Sequence, residues 1–372
     1  MSPAFSSLRQ LGAFILLLLL VLLLPVLLDK SMLPQREQIY GWTGWDSTGP
    51  HPYHHRLIFE EKGDIDVLFI GSSRIFHAID TVRVQEELGK NLGRPAVVRT
   101  MGWGGAGFDA LYFMTKDLLR HRKVRMLVFY DECQMLDQPN SLAPDWFRLA
   151  DDGQVLTGLP WHRQAAYYFA AILGVPKNVL CLVRHNLPPD LTAEKMKAVA
   201  EMYHADDIAT KLGSMTAYDG FSDNASYSGY APFAAYTPPT TGKSTQVAVY
   251  ASGTKAKFEF SGSPVPAWQL HFGRKFTKLA RQEGVKLVLL HLPTTDDMKS
   301  TVINEREFWP EVLQGDVALV GIAPAVFFGG MTAEEARLLY RDHVHFNKNG
   351  QSYFTSLMLP ILLKLYDDET SR

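Results

Sequence analysis

Three regimes of hydrophobic patterning divide the chain. Residues 11–28 are apolar throughout and carry no charge. Taken as a helix they span about 27 Å, close to the hydrocarbon thickness of a bilayer. The run exceeds the apolar core of a cleavable signal, and "DKSMLPQR" follows it rather than a small-residue cleavage site. It predicts an uncleaved transmembrane anchor within residues 1–30. Residues 31–64 are rich in Pro, Gly, His and Trp, lack periodicity and read as a linker. From residue 65 onward, short apolar runs alternate with amphipathic stretches.

That alternation predicts the fold. Residues 65–70 ("IDVLFI") form a strand buried on both faces, as in a parallel sheet. Residues 79–90 space apolar positions as a helix does, and residues 96–100 read as a second strand. A glycine-rich loop follows at 101–107, then a helix over 108–122 and a third strand over 124–130. This β-α-β-α-β order predicts an α/β domain over 65–366 with a doubly wound, mostly parallel sheet of flavodoxin-like type. The pattern breaks over about 131–262, which contains a helical stretch (191–205) and a Tyr/Ser/Gly/Pro-rich tract (218–244). We read this segment as a large insertion. Alternation resumes with a helix over 267–284 and a strand over 285–293, and residues 340–366 form a polar loop leading into an amphipathic helix.

Composition narrows the class. The 372 residues are 47% hydrophobic and 20% charged, with a net charge of −2, which suits a protein with a sizeable core and gives no sign of nucleic-acid binding. Cys133 and Cys181 lack metal-type spacing, and Cys181 sits in an apolar run. Charges flanking residues 11–28 orient the span only weakly, and we expect the domain to face away from the cytoplasm.

Candidate chemistry sits at three strand ends. Gly71, Ser72, Ser73 and Arg74 follow the first strand, "MGWGGAG" follows the second, and "DHVH" precedes the last helix. Ligands of open α/β sheets bind at the carboxyl edge. Asp342 and His345, three residues apart, place a carboxylate beside an imidazole, and a serine hydroxyl needs such a base. Glycines let backbone N–H groups approach a developing oxyanion.

These blocks together resemble the SGNH (GDSL-type) hydrolase superfamily, over roughly residues 65–131 and 285–366. The resemblance implies Ser73 as nucleophile, His345 as base, Asp342 as its orienter, and the N–H groups of Ser73 and Gly105 as the oxyanion hole. The double serine, the N-terminal apolar span and the insertion are similar to the DltD-like branch and to SGNH partners of membrane-bound O-acyltransferases. That similarity implies transfer of an acyl group, acetyl in the first instance, to a cell-surface polysaccharide at the cell membrane, beside such a partner. Arg74, Gln134 and His77 are candidates for holding substrate or supporting the triad. One departure stands out: "YDECQM" (130–135) follows the third strand where the family carries an Asn donor, and ionised Asp131 or Glu132 cannot donate.

Plainer readings exist for each residue. Ser72 or Ser73 would serve as a helix cap, His345 as a loop histidine, the glycines as a turn, Arg74 as a surface cation and His77 as a structural residue. His51, His54 and His55 with Asp342 and His343 are zinc-type side chains, but histidines in a linker are expected to be solvated, and no metal or cofactor is expected. Two other functions are compatible with the same fold: a carbohydrate esterase or deacetylase, and a non-catalytic polysaccharide-binding subunit.

Overall fold

The computed structural model describes residues 7–27, 36–40, 51–102, 107–130, 139–140, 152–169, 171, 247–250, 258–260, 266–300, 302–305, 309, 312 and 318–370. Six strands form one sheet: β1 (Ile65–Gly71), β2 (Val98–Gly102), β3 (Val124–Tyr130), β4 (Val247–Tyr250), β5 (Lys286–Leu290) and β6 (Ala318–Ile322). Their order is β2-β1-β3-β5-β6-β4; the first five run parallel, and β4 pairs antiparallel with β6. The protein is therefore an α/β fold built on a parallel sheet.

Every residue of β1 is buried. Val67 and Phe69 point into one apolar cluster, Leu68 and Ile70 into another. Both faces of the sheet are covered for this reason, and β1 reads as a continuous apolar run rather than an alternating one. On the first face lie α4 (Phe108–His121) and α5 (Ala267–Gln282), where Phe108, Phe272, Phe276 and Trp309 pack. On the other lie α2 (Ser73–Ala78), α3 (Thr81–Leu92) and α6 (Lys348–Thr370), through Ile75, Leu88, Phe354 and Met358. The chain leaves β1 for β2 on one side and reaches β3 on the other, so a crevice opens at the carboxyl end of β1.

Element boundaries moved where side chains compete with periodicity. The helix expected over 79–90 starts at Thr81, because the Asp80 side chain accepts the Arg83 N–H (3.1 Å) as an N-cap. It ends at Gly93, whose φ of 64° suits glycine. The strand expected over 96–100 runs to Gly102. There a Cβ would lie 2.0 Å from the Gly71 carbonyl oxygen, so β2 keeps this close approach only with glycine. β6 was not anticipated, and β4 returns part of the expected insertion to the sheet edge.

The expectation of a linker over 31–64 does not hold at its described residues, 36–40 and 51–64. Arg36 forms ion pairs with Asp117 (2.6 Å) and Asp152 (3.1 Å). Tyr40, Tyr53, Leu57 and Ile58 are fully buried, and Arg56–Glu60 forms a π-helical turn. Phe59 meets His121 of α4 edge-on at 4.9 Å. The described parts of the segment, 36–40 and 51–64, lack periodicity because they dock through short turns, each contributing one or two anchors. Upstream, α1 (Leu8–Leu27) is a continuous helix. Its described side chains, from Leu8 to Val21 and at Leu23, are exposed. Over the described residues alone, no helix is long and apolar enough to cross a membrane.

The start of α4 carries a buried acid. The Asp109 carboxylate accepts the Ala110 N–H (3.0 Å), the Asn140 N–H (2.7 Å) and the Trp268 indole N–H (3.2 Å). Burial pushes it up to about 6, more than these hydrogen bonds pull it down. Between an unfolded value of about 3.9 and that folded value, the folded protein holds a proton that the unfolded chain has released. Stability contributed by this group therefore falls as pH rises through that window. Asp109→Asn should remove this slope, so that wild type loses stability relative to the variant between about pH 4 and pH 6. Urea unfolding of both proteins across that range measures it, and a pH-independent difference would refute it.

Candidate active site

Ser73 opens α2 at the carboxyl end of β1, half-buried at the crevice. Its Oγ lies 2.8 Å from His345 Nε2. His345 Nδ1 lies 2.7 Å from Asp342 Oδ2. The carboxylate accepts the Nδ1–H, which leaves Nε2 unprotonated to accept the serine hydroxyl. The other carboxylate oxygen, Oδ1, accepts the N–H groups of Val344 (2.9 Å) and His345 (2.8 Å). Partial burial alone would raise Asp342. The hydrogen bonds from the His345 ring and from these two amides outweigh it and hold the acid well below its usual range. Asp342 is thus held as the charged, accepting partner of the ring.

The chain builds this relay from two distant segments. An antiparallel bridge between Tyr340 and Phe346, with the Arg341 N–H donating to the His345 carbonyl (2.8 Å), closes the loop carrying Asp342 and His345. Asn347 locks it. Its Nδ2 donates to the Leu338 carbonyl (2.7 Å), and its Oδ1 accepts the amides of Asn349 (2.9 Å) and Gly350 (3.1 Å), capping α6. The Tyr340 hydroxyl donates to the Pro293 carbonyl (2.9 Å) just beyond β5. The same α6 holds α2, since Gln351 Nε2 donates to the carbonyls of Phe76 (3.3 Å) and Ile79 (3.2 Å). One helix therefore sets the height of both Ser73 and His345.

The two serines are separated by their partners. Ser72 is buried, and its hydroxyl hydrogen-bonds the Tyr130 hydroxyl, which also accepts the Ser72 N–H (3.3 Å). Ser72 makes no side-chain cap. Only Ser73 presents its Oγ to an imidazole. Tyr130 explains Gly71 as well: a Cβ there would sit 2.1 Å from its ring. The reading of Arg74 as a surface cation is corrected. It is buried, donates to the Leu292 carbonyl (2.6 Å), and lies 5.4 Å over the Tyr130 ring.

His77 packs edge-on against His345, with ring centroids 5.7 Å apart, and accepts a hydrogen bond from Arg341 Nη1 (3.1 Å). Burial, and then the charge of Arg341, hold it down to about 3, so it stays neutral and orients the ring beside it. Gly105 and Gln134 lie outside the described residues, as do Asp131, Glu132, Cys133 and Cys181. The Ser73 N–H belongs to the first turn of α2, where amides lack intrahelical acceptors. The expectation of solvated linker histidines fails at His54, which is fully buried and accepts the Gly102 N–H at 3.2 Å. His55 instead pairs with Glu60 (2.9 Å), and Asp342 is committed to His345. Sequence reasoning missed Tyr130, Arg341 and Asn347. Of these, only Asn347 left a local signal, an Asn three residues before a glycine at the start of the last helix.

No protein-family model matches the chain, and no curated protein matches it either.

Proposed function

We propose that this chain is an SGNH-type serine acyltransferase of the extracytoplasmic membrane surface, acting on a glycan hydroxyl. The single observation that carries this reading is the Ser73–His345–Asp342 relay, formed between residues 272 positions apart and with each side chain in the role its chemistry requires. Ser73 Oγ attacks the acyl carbonyl as its proton passes to His345 Nε2, and Asp342 stabilises the imidazolium. The oxyanion is received by the N–H of Ser73, with Gly105 as the second donor implied by the family likeness. Collapse breaks the bond to the donor, which leaves with the proton from His345. An acceptor hydroxyl then gives its proton to His345, attacks the acyl-Ser73 ester and releases Ser73.

The membrane part of the reading rests on the sequence, whose uncharged apolar run over 11–28 lies within and just beyond α1; the described apolar side chains of that helix are exposed. The test is to incubate the detergent-solubilised chain with p-nitrophenyl acetate and digest it for mass spectrometry. The expected result is an acetyl group on the peptide bearing Ser73, with release accelerated by a polysaccharide. An unmodified Ser73 in a protein shown to be folded would refute the reading.

A further inference from the structure

The loop carrying Asp342 and His345 and the turn carrying Ser73 share a second support besides α6. It is the stretch 291–297, where the chain leaves β5. The Leu292 carbonyl accepts Arg74 Nη2 (2.6 Å), and Arg74 directly follows Ser73. The next carbonyl, that of Pro293, accepts the Tyr340 hydroxyl (2.9 Å) ahead of Asp342. Thr295 donates its N–H (3.1 Å) and its hydroxyl (3.3 Å) to the His343 carbonyl, just beyond Asp342. One short turn therefore ties the neighbour of Ser73 to both flanks of Asp342.

A single carboxylate shapes this turn. Asp297 Oδ2 accepts the Thr294 N–H (2.6 Å) and the Thr294 hydroxyl (3.1 Å), and the Asp297 N–H donates back to the Thr294 carbonyl (3.1 Å). His291 Nε2 lies 3.7 Å from the same carboxylate oxygen. Burial alone would raise Asp297. The His291 ring and then the Thr294 donors outweigh it and hold the acid below its usual range. The other end of the turn rests on the sheet. His291 is buried, and its N–H donates to the Val320 carbonyl of β6 (2.7 Å). Gly321 of β6 makes room for it, since a Cβ there would come within 2.9 Å of the His291 Cβ. The turn is thus pinned to β6 at one end and to Asp297 at the other. Between these pins lie the three groups that hold the Ser73 and His345 segments together.

The separation at stake is small. Ser73 Oγ and His345 Nε2 stand 2.8 Å apart, and a shift of about 1 Å between reacting groups can cost about 10²-fold in rate. We propose that Asp297 is a positioning residue for the Ser73–His345 relay, holding the turn 291–297 in the shape that keeps the hydroxyl against the imidazole. The proposal rests on the reading of Ser73 as the acylated residue.

The test follows acetylation of Ser73 by p-nitrophenyl acetate in the detergent-solubilised full chain. The rate at saturating ester and the half-saturating concentration are read separately, per folded molecule as judged by urea unfolding. Asp297→Ala should lower the saturated rate about 10²-fold and leave the half-saturating concentration close to that of the unsubstituted chain. Asp297→Asn keeps an oxygen for the Thr294 donors and loses the charge beside His291, so it should fall between, about tenfold slower. If Asp297→Ala does not fold, Asp297→Asn decides. Tyr340→Phe removes the hydroxyl that reaches Pro293. Because both changes act through one turn, Tyr340→Phe with Asp297→Asn should be slowed by less than the product of the single effects. An unchanged saturated rate in Asp297→Asn, a loss confined to the half-saturating concentration, or single losses that simply multiply would overturn the proposal. Absence of acetyl-Ser73 in the unsubstituted chain would overturn the catalytic reading and this proposal together. An acetylated unsubstituted chain with an unchanged Asp297→Asn rate overturns the proposal alone.

Discussion

Ser73→Ala should abolish acyl-enzyme formation and acyl transfer while leaving the fold intact. Members of a nucleophile–base relay act as a unit, and losing the serine alone can cost about as much as losing the whole relay, on the order of 10⁶ in rate. His345→Ala should look almost the same, and the double variant should be no slower than either single one. The hydroxyl contributes little packing, because Ser73 is half-buried and its described side-chain hydrogen bond is to His345. A change at such an edge usually moves stability by under about 0.5 kcal/mol. The measurement is pre-steady-state release of p-nitrophenol, with far-UV circular dichroism as the folding control. A burst of normal amplitude from Ser73→Ala would sink the proposed mechanism, and additive losses in the double variant would show that Ser73 and His345 do not act together.

Asp342→Asn should be nearly as damaging, for a different reason. The amide oxygen of the new side chain can still accept the Val344 and His345 N–H groups, so the loop keeps its shape. Its NH₂ would then face His345 Nδ1. That nitrogen must become the acceptor, and the proton moves to Nε2, the atom that should receive the serine hydroxyl. In a serine protease triad the corresponding change leaves geometry intact and lowers kcat by about 10⁴ through the wrong tautomer. The same order is expected here, falling on kcat with KM close to wild type and the melting temperature nearly unchanged. A loss below about tenfold would mean that Asp342 only shapes the loop.

The relay was legible in the sequence because each half is local. A Gly-Ser-Ser after a doubly buried strand and an Asp-x-x-His ahead of a helix are patterns of adjacent residues. What the sequence hid depends on distant partners. Arg36 reads as one charge in an aperiodic stretch until Asp117 and Asp152 receive it. Tyr130 closes an apolar strand and reveals its role only where its hydroxyl meets Ser72. Strand β6 escaped for a third reason. Its five residues contain Gly321, and a short apolar run with an internal glycine fits helix, strand or loop alike. The glycine is there because a Cβ would come within 2.7 Å of Ile303 and 2.9 Å of His291, a requirement of packing that no periodicity records.

The docking of Arg36 limits how far the α/β domain can travel from α1. Residues 28–35 connect the end of α1 to this buried ion pair, and eight residues reach at most about 28 Å when fully extended. With α1 in the bilayer, as proposed, the domain is held on a short leash. It cannot sample the space beyond a thin layer next to the lipid headgroups. On the proposed acyltransfer reading, an acceptor would have to enter that layer to be modified, and material farther out would be beyond its reach. On that reading, modification would be a matter of timing as well as recognition, since an acceptor would meet Ser73 only while it lies within that layer.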